Sequence, residues 1–188
     1  MLQVYTGNGK GKTTAAIGLA IRALGAGKKV YIMQFMKSLA YSEQAVLQGF
    51  APQLLLETTG KLFFVAEEGM LSEEELEAWG KQVVVFPPGK PPADYVQQLQ
   101  QGLEQAIAKA GEYDLVILDE INVALSFGLL DQTTVESFVT QLATKQEIVC
   151  TGRKAPQWLI EKADLVTEMQ EIKHYYNQGV EARVGIEN

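Results

Sequence analysis

The stretch VYTGNGKGKTT, residues 4–14, packs three glycines, two lysines and three threonines into the opening of the chain. A short apolar run, Leu2–Tyr5, leads into it, and a helix-like segment, Thr13–Leu24, leads out. A glycine loop between a strand and a helix suits phosphate. Glycines let backbone N–H groups turn inward. The helix start adds partial positive charge. Lys12 supplies a point charge, and the Thr13 hydroxyl is placed to bind Mg²⁺. One residue departs from the usual pattern: Thr6 stands where a glycine is expected, five positions before Gly11, with Gly7 and Gly9 nearby to compensate. The candidate cradle is thus Thr6, Gly7, Asn8, Gly9, Lys10, Gly11, Lys12, Thr13 and Thr14. An ordinary glycine-rich turn is the plainer alternative, and the flanking strand and helix argue against it.

Beyond the loop, apolar strands alternate with helical stretches. Val30–Phe35 reads as a second strand, Gln53–Glu57 as a third and Val83–Phe86 as another. Ser72 and Glu75 have the spacing of a capping box. Asp94 opens a helix to about Ala110, and Asp131 caps a later one. Leu115–Leu118, with Ile121 beyond the acids, suit a strand buried on both faces. Glu147–Cys150 and Leu165–Val166 are further strand candidates. This alternation predicts an α/β fold of the P-loop NTPase (RecA-like) kind. It would be a three-layer sandwich around a mostly parallel sheet, one domain over residues 1–188, with the ligand at the carboxyl ends of the strands.

The composition fits a soluble globular chain: 47% hydrophobic and 21% charged, with net charge −7. No apolar run approaches the roughly 18 residues of a membrane span. No leader pattern is visible, so a cytoplasmic protein is expected. No Lys/Arg cluster suggests a nucleic-acid partner. The single cysteine, Cys150, excludes an intrachain disulfide and a cysteine-rich zinc site.

Asp119 and Glu120 end the buried strand. Adjacent acids beside a core need a purpose, and holding Mg²⁺ with phosphates is the natural one; otherwise they sit at a solvated strand end. Neighbouring strand residues face opposite ways, so only one is expected to reach the metal directly. Arg153 is a candidate phosphate contact. His174, the only histidine, is given no catalytic role by its sequence position. Trp79 and Trp158 read as packing anchors, and Cys150 as buried and inert. No residue stands out as a base. Either a positioned water attacks the nucleotide, or the second substrate brings the nucleophile.

Taken in order, VYTGNGKGKTTAA, VYIMQFMKS, YDLVILDEINVAL, GLLD, TGRKAP, ADLVTEM, IKH and GVEARVGIEN resemble the ATP:corrinoid adenosyltransferases of the CobA/BtuR/CobO type, from Gln3 to Glu187. The same Thr6 departure occurs in that family's loop. The resemblance implies a definite chemistry. A corrinoid reduced to Co(I), cobalamin or an early precursor, attacks the 5′ carbon of ATP, and triphosphate leaves intact. ATP lies in the loop in the reverse sense to ordinary ATPases. It also implies roles. Lys12, Glu120 and Arg153 would be catalytic. Thr13, Glu120 and Asp119 would serve Mg²⁺ or Mn²⁺. Lys10 and Lys12 would grip phosphates. Gln34, Phe35, Lys37 and Glu43 would lie beside the site. A reduced flavoprotein would supply electrons, and the chain would form a homodimer.

Two segments depart from the family. Many members carry Phe-Thr-Trp against the lower cobalt face; this chain has TTGKLFFVAEE, with Phe63 or Phe64 as the substitute. Many continue Lys-His with Pro-Phe; here Tyr175 and Tyr176 follow. Some members have an N-terminal extension over the site, and none is expected here because the first strand starts at once. The rivals are another P-loop enzyme, such as a small-molecule kinase or an ATPase, and a non-catalytic nucleotide- or corrinoid-binding protein.

Overall fold

A computed structural model describes residues 1–38, 40–61 and 63–187, the side chains of Ala78, Trp79 and Asn177 excepted. The packing role expected of Trp79 lies outside the described residues.

Six strands form one parallel sheet. They are β1 (Leu2–Thr6), β2 (Val30–Phe35), β3 (Leu54–Thr59), β6 (Leu115–Asp119), β7 (Glu147–Thr151) and β8 (Leu165–Glu168). Their spatial order is β3-β2-β6-β7-β1-β8, so β7 separates the loop-bearing β1 from the acid-bearing β6. Every pairing is parallel. A second, two-stranded parallel sheet joins β4 (Phe64–Glu67) to β5 (Val83–Phe86). β5 has the predicted bounds, but it lies outside the main sheet.

The central strands are apolar on both faces, and the alternation along them assigns each residue to a layer. Val30, Ile32, Leu115, Ile117 and Val149 pack with Ala16, Ala20, Ala23 and Leu24 of α1 (Lys12–Gly25) and Leu47 of α2 (Ser42–Gln48). Tyr31, Met33, Val116, Leu118, Ile148 and Cys150 face the opposite layer. There stand α4 (Ala93–Lys109), α5 (Ile121–Ser126), α6 (Gln132–Ala143) and α7 (Gln157–Lys162). Small alanines at helical spacing bring α1 close to the sheet, which fixes the glycine loop at the strand ends. This is the expected three-layer α/β sandwich.

Local signals are realised where they were read. Ser72 Oγ accepts from the Glu75 N–H at 3.2 Å, and the Glu75 carboxylate accepts from the Ser72 N–H at 2.8 Å, opening α3 (Glu73–Trp79). The Asp131 carboxylate accepts from the Thr134 N–H at 2.7 Å and starts α6. Helices α2, α5 and α7 and strand β4 were not anticipated. They have four to seven residues each, too few for a periodic pattern to stand out. Trp158 packs partly buried against the core as expected. Among the described residues, no helix is long and apolar enough to cross a membrane.

Candidate functional site

The loop between β1 and α1 is shaped by its neighbours as well as by any ligand. Gly7 has φ 93°, and a Cβ there would lie 2.4 Å from the Met169 carbonyl oxygen. A Cβ on Gly9 would lie 2.8 Å from the backbone of Gln170. The Gly9 N–H donates to the Met169 carbonyl at 2.7 Å, so the segment after β8 lies directly against the loop. Thr6, in place of the usual glycine, is buried, and its hydroxyl accepts from the Ala155 N–H at 3.3 Å. Its side chain therefore ties the loop to the segment after β7. Gly11, with φ 117°, precedes α1 and offers no side-chain cap. The helix's first N–H groups are consequently left to a ligand.

Lys12 is buried, and its ammonium donates to the carbonyls of Gly7 and Gly9 at 2.8 and 2.7 Å. Burial, more than the nearby Arg153, lowers its pKa; Glu120 and Asp119 oppose that. Lys10 points elsewhere. Its ammonium donates to the Tyr175 hydroxyl at 3.0 Å, the Ile186 carbonyl at 3.0 Å and Glu187 Oε1 at 2.6 Å. Glu187 also accepts from Arg183 and Tyr175. The Arg183 hydrogen bond first, then those of Lys10 and Tyr175, hold its carboxyl well below the usual range. The chain's last residues thus arch over the loop and face the site.

Asp119 is 1% exposed and carries a full set of donors. Its Oδ1 accepts from the hydroxyls of Thr151 at 2.6 Å and Thr13 at 2.9 Å. Its Oδ2 accepts from Lys37 Nζ at 2.7 Å and Gln34 Nε2 at 3.1 Å. Burial works against its charge, but Lys37 and these hydrogen bonds outweigh burial and lower its pKa. Burial likewise works against the Lys37 ammonium, and Asp119, with help from Glu120, leaves it raised. Gln44, a residue the sequence reading passed over, supports the cluster by donating to Gln34 Oε1 at 2.8 Å.

Glu120 differs from its neighbour. It lies just past β6 with a left-handed backbone, φ 60°, at the start of α5. Its N–H donates to Thr151 Oγ1 at 3.0 Å, while its carboxylate has no hydrogen bond among the described residues. Burial, then the charge of Asp119, raises its pKa. Gly152, φ 128°, leaves room for it: a Cβ there would lie 3.2 Å from Glu120 Oε2. The adjacent acids thus differ in their surroundings, and the cause is the left-handed turn at Glu120, which lies outside β6, rather than alternation along the strand. Asp119 is a saturated anchor, and Glu120 presents an unpaired, destabilised carboxylate to the site.

A cavity of about 580 Å³ opens over this cluster. Of the predicted residues, Asn8, Gly9, Lys10, Gly11, Lys12, Thr13, Thr14, Lys37, Glu120 and Arg153 line it. Thr6, Gly7, Gln34 and Asp119 stand behind that lining, tied to it by the contacts above. Glu43 lies on the first turn of α2, and the cavity lining reaches Tyr41 but not Glu43. The opposite wall is apolar: Phe64, Val65 and Val83 from the small sheet, Met70 and Leu71 from the segment between its two strands, and Phe127. Phe64 is exposed to the cavity, whereas Phe63 packs against the core beside Tyr95, with ring centroids 5.7 Å apart. His174 sits at the cavity edge, its Nδ1 accepting from the Tyr176 N–H at 3.1 Å.

The donor set at the polar end fits Mg²⁺. Thr13 and Glu120 offer hard oxygens on one side of the loop, and a cation would relieve the buried charge of Glu120. With both its oxygens occupied, Asp119 would act through Thr13.

The whole chain, residues 1–188, matches the family described as ATP:corrinoid adenosyltransferase BtuR/CobO/CobP. It is 33% identical over 188 residues to a corrinoid adenosyltransferase of Pseudomonas aeruginosa, spanning 100% of this chain and 83% of that protein. With the corrinoid adenosyltransferase of Escherichia coli K12 it shares 32% identity over 184 residues, 98% of this chain and 83% of that one. Among solved structures it is similar to the flagellar accessory protein FlaH from Methanocaldococcus jannaschii. That match has a TM-score of 0.49 and 15% identity, over 89% of this chain and 69% of the other.

Proposed function

The chain belongs to the ATP:corrinoid adenosyltransferase family, and we propose that its glycine loop holds the triphosphate of ATP as a leaving group while a reduced corrinoid attacks from the apolar side of the same cavity. The enzyme adenosylates corrinoids with ATP. The single observation that carries the finer reading is the make-up of that cavity: an uncapped helix start, Lys12 and Glu120 at one end, and an apolar wall at the other.

The substrate supplies the nucleophile, so the protein's work is placement and charge. The electron pair of Co(I) makes the cobalt–carbon bond as the bond from the 5′ carbon to oxygen breaks, and the carbon–oxygen bonding pair leaves on the triphosphate. Negative charge gathers on the departing oxygens. The N–H groups of α1, the Lys12 ammonium and Arg153 meet it. Thr13 and Glu120 would hold Mg²⁺, which neutralises phosphate charge when bound. Lys37 and Asp119 fix the Thr13 hydroxyl. For Lys10 to join the phosphates, its ammonium would have to exchange Glu187 for a phosphate oxygen. Across the cavity, Phe64 would shield the lower face of the corrin ring in place of the Phe-Thr-Trp segment of other members.

Electrons would come from an external donor such as a reduced flavoprotein. The protein would work in the cytoplasm as a homodimer; sedimentation giving only monomer at micromolar concentration would remove the last of these.

Identification of the phosphorus-containing product of ATP, under anaerobic reducing conditions, tests the reading. Intact triphosphate, formed only when corrinoid is present, is expected. ADP with phosphate, or a phosphorylated acceptor, would mean phosphoryl transfer and would overturn it.

A further inference from the structure

Three non-glycine residues among those described hold a left-handed backbone: Met36 at φ 59°, Glu120 at φ 60° and Lys154 at φ 55°. All three line the same cavity. Such conformations cost energy and tend to gather at functional sites. Glu120 already has a task at the polar end, and Met36 leads into the Lys37 anchor. Lys154 is left without one.

Its neighbour Arg153 points the other way in electrostatic terms. The charge of Arg153 acts on Lys12 and on Glu120, at the phosphate end. Lys154 Nζ instead lies 5.7 Å from the centre of the Phe127 ring. Phe127 meets Phe86 of the small sheet edge-on, with ring centroids 5.8 Å apart, so this ammonium stands at the apolar end. It has no ion-pair partner among the described residues. Its contact with the ring face is a weak one for an exposed cation.

A corrin is a broad ring with an apolar body and a rim of side chains that end in amides or free carboxylates. If its body lies on the Phe64 wall, its rim passes near Lys154. We propose that Lys154 is a specificity-determining residue whose ammonium pairs with a free carboxylate on the corrin rim. The chain then favours corrinoids that keep rim carboxylates over fully amidated ones. The inference rests on the adenosyl-transfer reading above and adds a substrate class to it. An exposed ion pair sets the scale, a preference of about fivefold.

The test is steady-state adenosyl transfer to pre-reduced cobyrinic acid, whose side chains are carboxylates, and to cobinamide, whose side chains are amidated. Wild type should favour cobyrinic acid about fivefold in kcat/KM, through KM. Lys154→Gln should bring that ratio towards one by raising KM for cobyrinic acid, and Lys154→Arg should restore it. A wild-type ratio of one, or a ratio that Lys154→Gln leaves in place, would overturn the inference while the adenosyl-transfer reading stands. A rise in KM for ATP instead would return Lys154 to the phosphate end and overturn it too. Turnover of neither corrinoid by wild type would remove both readings.

Discussion

At the strand ends, Asp119 collects four hydrogen bonds from Thr13, Thr151, Lys37 and Gln34, and the loop beside it is held by Met169 and Ala155. Across the cavity, the wall formed by β4 and β5 is held differently. Val65, Ala66 and Phe86 are buried in it, but Phe64, Met70 and Val85 are 48%, 43% and 38% exposed. A two-stranded sheet has little stability of its own, so this wall depends on its packing against the core. The polar half is therefore fixed by its own hydrogen bonds, which suits the proposed leaving-group role, since that role needs donors already in place. On the proposed reading the apolar half would meet a large substrate by area, and area tolerates adjustment.

Breaking the polar half should cost most. Asp119→Asn would leave the Lys37 ammonium buried without its partner, a loss of about 3–5 kcal/mol of folding stability, measured by urea denaturation. The pH dependence has a definite sign. The Asp119 pKa is lowered in the folded state, so its contribution is complete above the ordinary carboxylate value of about 3.9 and is lost as pH falls through the folded value. The variant should lack that part of the acid transition. A stability loss below about 1 kcal/mol would mean the anchor is not rigid.

Next in size is Lys12→Ala. Removing the charge proposed to meet the leaving group should lower kcat by about 10²–10³, with a smaller effect on KM for corrinoid. Normal turnover would mean that the loop is not the triphosphate site.

The smallest effect tests the apolar half. Phe64→Ala should raise KM for corrinoid up to about tenfold, with KM for ATP and the melting temperature little moved, because the ring is already 48% exposed. Unchanged corrinoid kinetics would discard Phe64 as part of the pocket.

The same division decided what could be read from the sequence. The polar half announces itself: the loop, Thr13, Lys12 and the paired acids are residue types that few other tasks require in that order, and the strand ahead of the acids is apolar from Leu115 to Leu118. What lies behind them was less visible. Lys37 and Gln34 could be placed near the site, but their convergence on Asp119 depends on the pairing of β2 with β6, which no local pattern specifies. Gln44 belongs to a seven-residue helix without a distinctive signal. The apolar half was the least legible. β4 has four residues, with no alternation to mark it, and nothing in Phe63-Phe64 says which ring turns inward. Lys154 and Glu187 reach the cavity only through the turns after β7 and at the end of the chain, contacts made across long separations in sequence.

Cys150 closes off one kind of chemistry and opens another. It is the single cysteine, fully buried in β7, and burial pushes its thiol up to about 12. A folded molecule should therefore ignore alkylating reagents, and labelling should report opening of the sheet. For the same reason, a cysteine introduced at an exposed position would be the only thiol to react. A dye or spin label placed on the small sheet could then follow that wall while the native sequence around the glycine loop stays untouched.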